Sequence, residues 1–290
     1  MKPQTEVAPP YTEDGPPFVA VVTGSSSGIG RAVAIEFARR GAWVLVHGRR
    51  NLEGLANTTA ELRSIARTLG SNECDVIRAA VADIQNPTSA SALVRAAFAW
   101  HGHVDVWVHA AGADVLTGNA KHQSFDQKLE SLWQTDVRGT IHLSRMVADS
   151  MLQSPPPRGN LPSMIHLGWD QATQGMEGDS GQYFCAVKAA VEAFSKSLAK
   201  TYAPHVRVNC VLPGWIKTQW GESASPEWRR RAIGESLLKR WGTPKDVANI
   251  IAAISMGDGE FINGQSIAVN GGWCGGDGPV DDSQSLSDRQ

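Results

Sequence analysis

Short apolar runs alternate along the chain with stretches in which apolar residues recur every three or four positions. The run 18–23 is apolar nearly throughout and of strand length. Residues 31–40 follow with apolar side chains at helical spacing, and Gly41 ends them. The same alternation predicts strands at 43–47, 75–81, 104–109, 164–167, 206–211 and 266–269. Between them it predicts helices that end near residue 69, over 89–100, over 125–151, over 184–202 and over 245–256. Strands that are apolar on both faces and separated by amphipathic helices argue a doubly wound α/β domain. Its sheet is expected to have seven mostly parallel strands with helices on both faces. No internal repeat is visible. A Pro- and Gly-bearing loop spans 154–162, and 218–239 reads as an insertion before the last helix.

Composition narrows the setting. The 290 residues carry a formal net charge of -2 with 42% hydrophobic residues, which suits one full α/β domain. Nothing basic marks a nucleic-acid partner, and no apolar stretch is long enough to span a membrane. The expected domain covers 18–274. Residues 1–17 and 275–290 are Pro-, Asp-, Gly- or Ser-rich and are expected to be flexible tails, with no apolar leader segment in the first. Cys74, Cys185, Cys210 and Cys274 lie far apart with no metal-ligand spacing, and read as reduced thiols of a cytoplasmic protein. Ten tryptophans stand against three tyrosines.

Thr23-Gly24-Ser25-Ser26-Ser27-Gly28-Ile29-Gly30 falls between the first strand and the first helix. Glycines there let the backbone turn tightly and approach a pyrophosphate, and the helix N-terminus offers N–H groups to the anion. With this loop the chain resembles the short-chain dehydrogenase/reductase family, whose cofactor loop is T-G-x-x-x-G-I-G. The resemblance continues at Asp83-Ile84 after the third strand and at His109-Ala110-Ala111-Gly112 after the fourth. It resumes at Pro213-Gly214-Trp215-Ile216-Lys217-Thr218 and at Asn263-Gly264-Gln265 to Gly271-Gly272. It implies a nicotinamide dinucleotide held by Gly24, Ser26, Ser27, Gly28, Ile29 and Gly30. Asp83, Ile84, Ala110, Ala111 and Gly112 contact it further along, and Lys188, Pro213, Gly214, Ile216 and Thr218 lie toward the nicotinamide.

The end of the second strand selects the nucleotide. An acid there accepts the ribose 2′-OH of NAD and repels a 2′-phosphate. This chain has Gly48 followed by Arg49 and Arg50, and a guanidinium beside a small residue fits a phosphate dianion. The expected cofactor is NADP(H).

The family's chemistry uses Asn, Ser, Tyr and Lys, with Tyr and Lys at i and i+4 on one helix face. Lys188 keeps its place, but Phe184 stands four residues before it and Tyr183 five. A five-residue step leaves about 140° on an ideal helix against about 40° for four, so Tyr183 is expected to point away from Lys188 unless the helix start is distorted. Trp169 occupies the serine position, with Asp170 next, and Asp136 the asparagine position, where it would pair with Lys188 if close. Candidate catalytic groups are therefore Lys188, Tyr183, Asp136 and Asp170. His109 and His166 are further candidates, each with a structural reading in the core.

After Thr218 the family carries a mobile substrate lid. Here it contains Trp220 and Trp228 with Arg229-Arg230-Arg231, flanked by Trp215 and Trp241. Tryptophan faces favour flat or apolar groups, and the arginines either meet an anion or sit in solvent. The resemblance implies a small carbonyl or alcohol substrate and a homodimer or homotetramer. Three functions remain open, of which the first two are an NADP(H)-dependent oxidoreductase with an atypical catalytic site and an NADP-binding scaffold or sensor with impaired catalysis. A different reaction on the same scaffold, through Asp170, Asp136 or a histidine, is the third possibility.

Overall fold

The computed structural model describes residues 16–257 and 259–273. Both expected tails therefore lie outside the described residues apart from Pro16 and Pro17, as does Cys274. The elements run β1 (Val19–Thr23), α1 (Gly28–Arg39), β2 (Trp43–Gly48), α2 (Leu52–Thr68), α3 (Glu73–Val76), β3 (Ile77–Val81), α4 (Pro87–His101) and β4 (Val106–His109). A short 3₁₀ turn (Gly118–His122) leads to α5 (Phe125–Leu132), a π-helical segment (Trp133–Gly139) and α6 (Thr140–Gln153). Then come β5 (Ser163–Leu167), α7 (Gly178–Tyr202), β6 (Arg207–Pro213), α8 (Gln219–Ser223), α9 (Pro226–Gly234), α10 (Pro244–Ser255) and β7 (Ser266–Val269).

The seven strands form one parallel sheet in the order β3-β2-β1-β4-β5-β6-β7. Strand residues alternate between two cores because successive side chains leave opposite faces. Ala20 and Val22 of β1 enter a core with Phe37, Val44 and Ile251, under α1, α2 and α10. Val19 and Val21 enter the other, with Leu45, Trp107, Leu143 and Met164, under α4, α6 and α7. Burial on both sides is why the strands read as continuous apolar runs. The order reverses direction at β1 and β4, and their carboxyl ends open the crevice where such sheets bind ligands.

Three boundaries differ from expectation. The third strand begins at Ile77, not residue 75, because the Asn72 side chain accepts from the Cys74 N–H and starts a helical turn over Asp75 and Val76. The helix carrying Lys188 begins at Gly178, six residues before Phe184, and runs as α-helix through Tyr183 and Lys188. The expected helix 125–151 exists but is interrupted by the π-helical segment around Asp136. Among the described residues no helix is long and apolar enough to cross a membrane.

Candidate functional site

A cleft of about 670 Å³ runs across the carboxyl ends of β1, β2, β4, β5 and β6. The glycine loop forms one wall, and side-chain hydrogen bonds hold its shape. Thr23 Oγ1 donates to Val108 O at 3.3 Å and accepts from the Ala110 and Ala111 N–H groups at 3.2 Å each, tying the loop to the end of β4. Ser25 Oγ donates to Val22 O at 2.9 Å and accepts from the His47 N–H at 2.8 Å, tying it to β2. The Gly24 N–H points at His47 Nδ1 at 3.3 Å, which leaves Nε2–H to donate to Ala82 O at 3.1 Å. Burial lowers the pKa of His47 and keeps this neutral tautomer. His47 was not among the sequence candidates; its histidine at the end of a strand carries no motif.

Glycine is required at two points of this loop. At Gly24 (φ +66°) a Cβ would lie 2.5 Å from Ala110 O, and at Gly30 it would lie 2.5 Å from Gly24 O. Gly28 (φ +57°) differs, since its Cβ would meet only the Thr218 methyl at 3.7 Å across the cleft. The cap residue Ser27 makes no side-chain cap, so the first N–H groups of α1 keep no side-chain acceptor there. A cradle of small residues under an uncapped helix N-terminus fits a pyrophosphate.

Ser26, Ser27, Ile29, Ala111, Gly112 and Ile84 line the same cleft, as do Pro213, Gly214, Ile216 and Thr218 at its far end. Arg49 and Arg50 line it beside Gly48. Arg49 Nη1 lies 3.2 Å from Asp83 Oδ1, and the rest of the planar fork retains donors. Asp83 itself is not part of the cleft wall. Its carboxylate holds the Gln85 N–H and its own N–H donates to Ser89 Oγ, so it shapes the turn behind Ile84.

At the reacting end, Lys188 Nζ donates to Asp136 Oδ2 at 2.9 Å, and Asp136 Oδ1 accepts from the Ala113 N–H at 2.8 Å. Asp136 reaches this position from the π-helical segment, whose extra residue per turn re-aims side chains. Gly112 packs against it, with a Cβ there only 2.9 Å from Asp136 Oδ2. Trp169 and Phe184 line the cleft beside this ion pair, edge to face with ring centroids 6.3 Å apart. Met176 and Ser180 extend that wall. Ser180 lies eight residues before Lys188, about 12 Å along the helix.

Two candidates are not brought into the cleft. Tyr183 is 2% exposed, packed among Val115, Leu132, Val137 and Val187, with its ring 5.8 Å from that of Phe125. Burial and the Asp179 charge push its phenol up. The regular helix turns it away from the face shared by Phe184 and Lys188. Asp170 sits behind Gly214: its Oδ2 accepts from Asn270 Nδ2 at 3.0 Å, and a Cβ on Gly214 would meet that oxygen at 3.1 Å. Burial pushes its carboxyl up to about 6. It braces the 213–216 turn against β7.

His109 and His166 form a buried network. Ser144 Oγ lies 3.1 Å from His109 Nε2 and 2.8 Å from His166 Nε2, and His166 Nδ1 lies 3.1 Å from Ser195 Oγ. The two rings stack at 4.8 Å. Burial lowers His166 to about 3 and His109 well below its ordinary value, so both stay neutral. A cavity of about 50 Å³ beside Lys188 and Asp136 separates this network from the cleft, with room for water.

Over the reacting end lie α8 and α9. Trp215, Trp220, Trp228 and Trp241 pack together with centroids 5.6 to 6.2 Å apart. Of the three lid arginines, Arg229 and Arg230 are exposed. Arg231 stands over Trp228 at 5.2 Å and bridges Glu235 and Glu177, while Glu235 Oε2 accepts from Trp215 Nε1 at 2.7 Å. Arg231 therefore pins the lid to the segment before α7.

Residues 24–274 match the family model described as enoyl-(acyl carrier protein) reductase. The 3-oxoacyl-(acyl-carrier-protein) reductase of Haemophilus influenzae is 31% identical over 256 residues, covering 88% of this chain and 97% of that protein. Among solved structures, actinorhodin polyketide ketoreductase with NADPH has a TM-score of 0.74 at 26% identity, covering 88% of this chain and 96% of that one. The 3-oxoacyl-(acyl-carrier-protein) reductase of Brucella melitensis in complex with NAD has a TM-score of 0.75 at 25% identity, with the same coverage. Matched over nearly all of its Rossmann domain, with the glycine loop and the Lys188 helix flanking one cleft, the chain belongs to the short-chain dehydrogenase/reductase family of oxidoreductases.

Proposed function

We propose that the protein is an NADP(H)-dependent oxidoreductase that works on a carbonyl/alcohol centre through an atypical catalytic site. The observation that carries this reading is the single cleft joining the glycine loop, Gly48 with Arg49, and the Lys188–Asp136 pair. The α1 N–H groups and Gly28 would hold the pyrophosphate. Arg49 would meet a 2′-phosphate, with no acid at the end of β2 to repel it. Bound there, the dinucleotide supplies or accepts hydride at its nicotinamide ring. Trp169 and Phe184 exclude water from that end, and Lys188 Nζ is an N–H donor at their level, oriented by Asp136. Asp136 and Lys188 are thus the residues assigned to the chemistry; Tyr183 and Asp170 support the fold around them. Titrating NADPH and NADH while following tryptophan fluorescence tests the cofactor assignment, and tighter binding of NADH overturns it.

A second reading has a specific observation in its favour. The position one turn before Lys188 holds a phenyl ring, which transfers no proton, and the nearest tyrosine is in the core. On this reading the chain binds NADP(H) as a scaffold or sensor. Binding of NADPH without consumption across a carbonyl panel selects it. The protein is further taken as a cytoplasmic homodimer or homotetramer; Trp133, 41% exposed at the start of the π-helical segment, supports a covered surface there. A monomer in sedimentation refutes that part.

A further inference from the structure

We propose that His109 is a positioning residue of the reacting end: through one water held in the small cavity between them, its Nδ1 fixes the Lys188 ammonium. The inference rests on the reading that assigns Lys188 to the chemistry, and it adds a residue that lies outside the cleft wall. The cavity of about 50 Å³ has His109, Asp136, Thr140 and Lys188 as the polar side chains of its lining.

A serine settles where the protons of the buried network lie. Ser144 Oγ has one proton and donates it to Thr140 O at 2.7 Å. Both imidazoles that meet this oxygen must therefore donate to it, His109 through Nε2–H at 3.1 Å and His166 through Nε2–H at 2.8 Å. His166 then accepts at Nδ1 from the Ser195 hydroxyl, 3.1 Å away. Burial keeps both rings neutral, so His109 is left with a lone pair at Nδ1. That atom is sealed from solvent and has no hydrogen-bond partner among the described residues. A buried acceptor left bare is costly, and it marks the place of a missing donor.

The cavity has room for that donor, since about 50 Å³ exceeds what one water needs and the lining offers it polar partners. The water donates one proton to His109 Nδ1 and turns the other to the Asp136 carboxylate. Its oxygen accepts from Lys188, whose Nζ carries three N–H groups. One of these meets Asp136 Oδ2 at 2.9 Å and a second reaches Leu167 O at 3.5 Å, which leaves the third for the water. The Leu167 contact is long, so that N–H can be shared with the cleft. Behind His109 the chain of donors stops, because the Ser144 proton rests on a carbonyl oxygen that passes nothing on. The network is therefore an anchor and not a wire: it holds the Lys188–Asp136 pair from the sheet side and carries no proton away.

Two substitutions separate the two ring nitrogens. His109→Asn puts an amide oxygen where Nδ1 was and loses the donor to Ser144. His109→Gln keeps a donor at the Nε2 position and loses the Nδ1 acceptor. Trace labelling of the full chain with acetic anhydride, read by mass spectrometry as the ratio of Lys188 to Lys196 on the same helix, reports how firmly the Lys188 ammonium is held. The ratio is expected to rise about ten-fold in His109→Gln and to stay within about two-fold of the parent in His109→Asn. A role through Ser144 alone predicts the reverse order. A rise in His109→Asn as large as in His109→Gln, or a rise in neither, overturns the proposal. A crystal structure of the parent should show a water on His109 Nδ1 and Lys188 Nζ, and a dry cavity overturns it as well. No dinucleotide is present in the labelling, so failure there leaves the cofactor reading standing. Failure of NADPH to bind removes that reading and leaves the water bridge.

Discussion

The two halves of the cleft are built from different materials. The dinucleotide half is made of backbone: glycines at positive φ, uncapped N–H groups and hydroxyls of Thr23 and Ser25 that lock the loop to neighbouring strands. The reacting half is made of large side chains: Trp169, Phe184, the lid tryptophans and one ion pair. Backbone chemistry of the first kind admits almost no substitution, because a methyl group at Gly24 strikes neighbouring main chain. Side-chain chemistry of the second kind can be rewritten residue by residue on an unchanged frame. On the proposed reading, that difference is how one half of the cleft can keep the family pattern while the other departs from it.

The contrast is broken first at Gly24. Gly24→Ala places a methyl 2.5 Å from Ala110 O at φ +66° and is expected to cost roughly 4 kcal/mol in denaturant unfolding. Gly28→Ala sharpens the same point: it costs about 1 kcal/mol of fold but fills the pyrophosphate space, so NADPH affinity falls far more than stability. In the reacting half, Asp136→Ala leaves the Lys188 ammonium part-buried without its carboxylate and is expected to destabilise by about 3 kcal/mol, measured in the same way. Asp136→Asn keeps the hydrogen bond to Ala113 or Lys188 and should lose less.

Asp170 gives a pH signature. Its folded-state carboxyl is pushed up to about 6, above the ordinary value of 3.8, so the folded protein binds that proton more readily than the unfolded chain. Its contribution to stability is therefore largest at acid pH and is lost as pH rises from about 4 through about 6. Asp170→Asn should flatten this slope and gain about 2 kcal/mol at pH 8 relative to the parent. The smallest effect belongs to Arg49. Arg49→Ala should weaken NADPH by about ten-fold while leaving NADH unchanged, read by fluorescence titration.

Much of the dinucleotide half was legible in the sequence because its requirements are written as glycines at fixed spacing between a strand and a helix. The direction of Tyr183 was legible too, since helical angles depend only on residue steps. The π-helical segment around Asp136 was not: an apolar stripe tolerates one inserted residue, so 125–151 reads as one regular helix. The early start of α7 was hidden by Gly178, Asp179, Ser180 and Gly181, which carry no apolar spacing; Gly181 is needed because a Cβ there would lie 2.0 Å from Met176 O. The role of Arg231 depended on Glu177 and Glu235, partners that only the folded lid brings together.

On the proposed reading the frame is that of a short-chain dehydrogenase, and Phe184 and Trp169 stand where such a site would carry hydroxyls for carbonyl reduction. Phe184 already shares a helix face with Lys188, and Trp169 already lines the cleft beside it. The double substitution Phe184→Tyr with Trp169→Ser should therefore raise NADPH-dependent reduction of simple ketones by at least about a hundred-fold over the parent protein. An unchanged rate, with NADPH still bound, would contradict the account.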